Sequence, residues 1–104
     1  MMAGARAPVT FYSRRWCSYC FAARRLFKRL GVEYEEIPLD HQPELRSRVA
    51  KQAGGWRTVP MIFIGDRFIG GYSEIAALHR RGELVSMVSS ARSDVSTDAT
   101  FGQV

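Results

Sequence analysis

The 104-residue chain has only two cysteines, two histidines and four prolines, and each scarcity excludes something. Two thiols three positions apart cannot make a disulfide framework. A chain of this length buries a modest core without staples, so both are free for chemistry. Two isolated histidines, His41 and His79, offer little to a metal. No stretch approaches the roughly 20 apolar residues of a membrane helix. Met1 to Pro8 lacks the apolar centre of a secretory signal. These absences predict a cytoplasmic protein in a reducing setting, with no membrane partner.

Positive charge is not scarce: the formal net charge is +5. The basic residues are spread along the chain, however, with Arg24, Arg25, Lys28 and Arg29 in one helical segment and Arg46, Arg48 and Lys51 in another. Such sets read as solvated helix faces, and no nucleic-acid partner is expected. Arg14, Arg15 and Arg57 differ, because they lie beside the cysteines or a companion loop and are placed to receive an anionic substrate.

Both cysteines stand in one motif, Cys17-Ser18-Tyr19-Cys20, where the strand-like run Val9 to Ser13 gives way to a helix-like run Phe21 to Leu30. Ala23, Leu26, Phe27 and Leu30 make one apolar helical face, and Gly31 stops it. Glu33 to Leu39 reads as a second strand, with Pro38 implying an edge or a strand end. Pro43 suits the first position of a second helix, with Leu45, Val49 and Ala53 facing inward before Gly54-Gly55.

Met61 to Ile64 and Arg67 to Ile69 flank a tight Gly65-Asp66 hairpin. Ser73 is placed to cap a third helix that Gly82 ends, and Leu84 to Val88 suggest one more apolar turn. The order is βαβαββα. A βαβ unit makes the first two strands parallel, and the hairpin adds an antiparallel pair. The predicted organisation is a short N-terminal extension over 1–8, a domain over 9–88 and a flexible tail over 89–104, which is rich in Ser, Asp, Thr, Ala and Gly.

A cysteine at a helix start meets free backbone N–H groups, which favour thiolate over thiol. Cys17 is therefore the candidate nucleophile, and Cys20, one turn further in and more buried, the resolving thiol. The same pair read as half of a zinc site lacks two further ligands, since His41 and His79 are remote from it in sequence. Two inert thiols would have no reason to stand at a strand-to-helix junction.

Three separated segments then make the chain resemble a dithiol glutaredoxin of the thioredoxin-like superfamily: Tyr12-Ser13-Arg14-Arg15-Trp16-Cys17-Ser18-Tyr19-Cys20, Arg57-Thr58-Val59-Pro60 and Gly70-Gly71-Tyr72-Ser73-Glu74. The resemblance implies a thioredoxin-like α/β fold, a four-stranded mixed sheet flanked by helices. It implies a glutathione-dependent thiol-disulfide oxidoreductase that reduces protein–glutathione mixed disulfides and protein disulfides, with glutathione as reductant.

Catalysis would rest on Cys17 and Cys20. By the same resemblance Pro60 is cis, and Thr58, Val59 and Pro60 meet the glutathione cysteinyl unit, the Val59 backbone pairing with it like an added strand. Arg14 and Arg46 address the glycyl carboxylate. Gly71 allows close approach, the N–H groups of Tyr72 and Ser73 hold the γ-glutamyl carboxylate, and Tyr19 flanks the sulfur.

Two departures from the family pattern stand out. Ser18 replaces the commonest residue between the cysteines, proline, and Trp16 precedes Cys17. Some relatives with Trp-Cys-Ser/Gly-Tyr sequences bind a [2Fe-2S] cluster between two subunits through the first cysteine and glutathione, so a cluster-bridged dimer with Cys17 as ligand is the alternative to a monomeric enzyme without metal. The Gly54-Gly55-Trp56 stretch is a residue longer than usual, and the role of Trp56 stays open.

Overall fold

A computed structural model describes residues 7–91. Strands β1 (Val9–Ser13), β2 (Tyr34–Pro38), β3 (Met61–Ile64) and β4 (Arg67–Gly70) alternate with helices α1 (Ser18–Leu30), α2 (Pro43–Gln52) and α3 (Tyr72–Arg80) in the predicted order. The sheet runs β2-β1-β3-β4, with β1 parallel to β2 and antiparallel to β3, and β3 antiparallel to β4. A β-bulge between Ile62 and Phe63 shifts the β3–β4 register.

Alternation along the strands divides the core between the two sheet faces. Val9 and Phe11 of β1, with Ile62 and Ile64 of β3, meet Cys20, Ala23, Leu26 and Phe27 of α1 and Ile75 and Leu78 of α3. Met61 and Phe63 face the other way, onto Leu39, Val49 and Ala53, with Tyr12 packed against them. Phe11 and Phe27 are wholly buried and meet edge to face, ring centroids 6.0 Å apart. Each contributes about 1.5–3 kcal/mol through burial. The sheet is thus covered on both faces, and β1 ends at the buried Ser13 between them.

Local chemistry sets the element ends. Gly31 caps α1 in the left-handed region at φ 68°, its N–H and that of Val32 closing on Lys28 and Phe27 carbonyls. Gly65 takes φ 62° at the first of the two hairpin residues, where a two-residue turn favours glycine.

Three boundaries differ from expectation. Helix α1 begins at Ser18 rather than Phe21, because Cys17 itself is the cap. Helix α3 begins at Tyr72 with Gly71 as its N-cap, leaving Ser73 inside the first turn; no N-cap side chain bonds to the turn, and the Glu74 carboxylate instead accepts the Gly71 N–H at 2.8 Å, the reciprocal half of a capping box. The last helix, α4, starts at Leu84 and continues through Ala91, so helical structure passes the expected boundary after Val88. The buried Leu84, Val88 and Ala91 share one stripe of α4 against the core, and Ala91 reaches the Gly65 turn, which local composition did not reveal. The rest of the predicted tail, and residues 1–6, lie outside the described residues. Among the described residues no helix is long and apolar enough to cross a membrane.

Candidate active site at the first strand-to-helix junction

Strand β1 ends at the buried Ser13, and Arg14-Arg15-Trp16 turn the chain into α1. The Arg15 N–H is held by both Asp40 carboxylate oxygens, at 3.1 and 3.3 Å, which anchors the turn to the segment after β2. Cys17 then occupies the N-cap in an extended conformation, φ −138° and ψ 113°. Its Sγ accepts the Cys20 N–H at 3.3 Å, in the place a serine or aspartate oxygen takes at other helix starts. The half-buried sulfur also lies 3.8 Å from the Val59 carbonyl oxygen. The Val59–Pro60 peptide bond is cis.

Cys20 has the opposite surroundings. It is fully buried, in the core cluster with Phe11 and Phe27. Burial pushes its thiol well above the ordinary value, and a hydrogen bond with Cys17 adds to that; the Arg14 backbone and the Arg24 charge pull the other way. Cys20 therefore stays a neutral thiol at neutral pH, beside a partly accessible partner.

Arg24, one turn along α1 from Cys20, is tied to β2 by a two-point ion pair. Its Nε and a terminal nitrogen reach the Glu36 carboxylate at 2.9 and 2.7 Å, and the Ser13 hydroxyl donates to the same carboxylate at 2.8 Å. These bonds hold the Glu36 carboxyl below the usual range, the Arg24 hydrogen bond being the largest cause.

Around Cys17 opens a cavity of about 390 Å³ lined by Arg14, Trp16, Cys17, Ser18, Tyr19, Arg46, Arg57, Thr58 and Val59. Seven of the residues singled out from the sequence thus meet at one place: Arg14, Cys17, Tyr19, Arg46, Arg57, Thr58 and Val59. Pro60 is buried behind them. Gly71, Tyr72 and Ser73 are not in this lining. They connect to it through a stack of Tyr72 on Tyr19, centroids 6.3 Å apart, and through Gly71, where a Cβ would stand 3.4 Å from the Pro60 carbonyl oxygen. The preceding Gly70 has φ 136°, and a Cβ there would lie 2.6 Å from Glu74 Cγ, so only glycine lets α3 start this close to the strand.

Sequence reasoning missed the Asp40 anchor and the Ser13–Glu36–Arg24 network. Both join residues distant in the chain, and no local spacing signals them. Trp56 packs edge to face on Phe68 at 5.2 Å, with its indole N–H buried and unpaired among the described residues.

A family model for glutaredoxins matches residues 9–69. This chain belongs to the glutaredoxin family. A glutaredoxin of Pseudomonas aeruginosa is 44% identical over 82 residues, covering 79% of this chain and 96% of that protein. Among solved structures, a buckwheat glutaredoxin–glutathione complex superposes with a TM-score of 0.76 at 34% identity, covering 82% of this chain and 79% of that one. The holo form of glutaredoxin C1 from Populus tremula x tremuloides gives 0.75 at 34% identity, covering 85% and 81%. The thioredoxin-like glutaredoxin fold expected from the sequence is the one observed.

Proposed function

We propose that the protein is a glutathione-dependent thiol-disulfide oxidoreductase acting on glutathionylated proteins and protein disulfides. The observation that carries this reading is Cys17 Sγ at the N-cap of α1, accepting the Cys20 N–H, in the wall of a cavity that also presents three guanidinium groups. The reacting form of a cysteine is the thiolate, and the Cys20 N–H is already directed at this sulfur.

That thiolate attacks the glutathionyl sulfur of a mixed disulfide. The new bond joins Cys17 to glutathione, the old S–S bond breaks, and the protein thiolate leaves and takes a proton from water. A second glutathione thiolate then displaces Cys17, releasing glutathione disulfide. For a disulfide within a protein, Cys17 bonds to one substrate sulfur and the other leaves as thiolate; the buried Cys20 then attacks Cys17, the first substrate sulfur leaves and the Cys20 proton passes to a substrate thiolate, and the resulting Cys17–Cys20 disulfide is reduced by two glutathione molecules, which leave as glutathione disulfide.

Glutathione's likeness to an extended peptide supports the assigned contacts. Arg14 and Arg46 take the glycyl carboxylate, Thr58 and the Val59 backbone take the cysteinyl unit beside Pro60, and Tyr19 flanks the sulfur. Tyr72 and Ser73 at the start of α3 offer unpaired helix N–H groups to the γ-glutamyl carboxylate, with Gly71 permitting the approach. The dithiol mode follows from Cys20. The test is turnover of a glutathionylated peptide by wild type, Cys17→Ser and Cys20→Ser: retention by Cys17→Ser with loss by Cys20→Ser reverses the roles and sinks the assignment.

The [2Fe-2S] reading has one supporting observation: Cys17 is the single partly accessible thiol, flanked by Trp16, which is 87% exposed on a face a second copy would cover. One thiol per chain cannot hold a cluster alone, so two chains and two glutathiones would be needed. Anaerobic reconstitution with iron, sulfide and glutathione decides between the two: a coloured dimer favours the carrier, a colourless monomer the enzyme.

A further inference from the structure

We propose that the rim around Cys17 is a docking surface for proteins whose glutathionylated cysteine is flanked by acidic residues, an inference that rests on the oxidoreductase reading and names its substrate class. Four large hydrophobic side chains stand out as exposed among the described residues, and two of them, Trp16 and Tyr19, at 87% and 62%, line the cavity on either side of the thiol in the chain. Apolar area of this size beside a reacting atom gains by being covered during the reaction.

The charges around it carry one sign. Arg14, Arg46 and Arg57 line the cavity and no acidic side chain does. Among the described residues none of the three forms an ion pair, whereas Arg24 and Arg81 are each matched to a glutamate. Arg46 donates to the Arg57 carbonyl oxygen at 3.2 Å, which holds these two side by side. The positive lining continues into an adjoining cavity of about 380 Å³ that shares Arg14 and Arg46. Its acidic member, Asp40, already accepts the Arg15 N–H.

A single glycyl carboxylate has two oxygens, and three guanidiniums offer far more donors than it can use. Arg14 and Arg57 are exposed, so the surplus is open to a second anion. In the first displacement the leaving sulfur belongs to the protein substrate and departs in line from the attacked glutathionyl sulfur. The residues flanking the substrate cysteine must therefore pass over this rim, where carboxylates find guanidiniums and apolar side chains find Trp16. A polynucleotide would match the charge but brings no sulfur to Cys17, so the occupant is a polypeptide. Docking leaves the chemistry unchanged and selects which protein sulfur is presented.

The experiment compares two glutathionylated peptides of equal length, one with Asp and Glu around the cysteine and one with Lys, using glutathione as reductant. Both carry the same glutathionyl group, so its recognition cancels in the ratio of kcat/KM. At an ionic strength of about 0.01 M the acidic peptide is expected to lead by about tenfold or more, and the ratio to fall toward unity near 1 M salt. Arg57→Glu should shrink or invert the ratio, and Arg57→Lys should restore most of it.

Equal, salt-insensitive turnover of both peptides overturns the docking inference and leaves the function standing. No turnover of either overturns the function beneath it. Loss of the preference on adding a stoichiometric single-stranded oligonucleotide reassigns the surface to nucleic acid. Self-association that blocks the peptides reassigns it to a second copy. Either reassignment overturns the proposal.

Discussion

Cys17 and Cys20 are separated by one helical turn and by nearly everything else. The first terminates a strand-to-helix turn, half-exposed, its sulfur serving as a cap acceptor; the second is sealed against Phe11 and Phe27 with its thiol pushed up by burial. Two residues of the same kind on one helix thus acquire different chemistry from position alone. The capping position leaves one sulfur open to the cavity and hydrogen-bonded by a backbone N–H, while the next turn buries the other and keeps it a neutral thiol.

Removing Cys17 should break this contrast most severely. Cys17→Ser is expected to lower deglutathionylation by at least about a thousandfold, and Cys20→Ser to leave that reaction largely intact while abolishing reduction of intraprotein disulfides; peptide turnover measures both. Alkylation of the native protein should sharpen it next. Cys17 should react with iodoacetamide about a hundredfold faster than Cys20, read by mass spectrometry, and comparable rates would dissolve the distinction.

The ion pair beneath Cys20 should give a smaller effect. Glu36→Gln is expected to cost about 1–2 kcal/mol of stability at pH 7. Because the folded carboxyl of Glu36 is held low, the stabilisation is present above the ordinary carboxylate range of about 4 and is lost as pH falls through the depressed value. The gap between wild type and variant should therefore close in acid, as urea titrations at pH 7 and pH 3 would show. Least is expected from Arg24→Gln on the Cys17 route, at most about twofold. The same substitution removes a charge that lowers the Cys20 thiol, so the disulfide route should shift to higher pH while the mixed-disulfide route does not.

The element order was readable because β1 and β3 are short apolar runs, β2 lies between a helix stop and a proline, and each helix has a recognisable stop, as at Gly31 and Gly82. The cavity was half readable: Arg14, Cys17 and Tyr19 share one segment, but Arg46 and Thr58 join them only through the chain's return, and the family resemblance, not spacing, singled them out. What stayed hidden depended on contacts between distant residues. Asp40 reaches the Arg15 backbone from 25 positions away, and Glu74 caps α3 from inside while Ser73, the conspicuous local candidate, does not. Ala91 is held by packing against the hairpin, in a stretch whose composition reads as tail.

Trp56 has a practical use. Its buried N–H has no partner among the described residues, so exchanging indole for phenyl sacrifices packing volume while lifting a desolvation cost of about 1–3 kcal/mol. The chain has two tryptophans, and Trp56→Phe would leave Trp16, next to the reacting sulfur, as the sole indole fluorophore. Emission from that protein becomes an optical reporter of each event at the thiol, with no label attached.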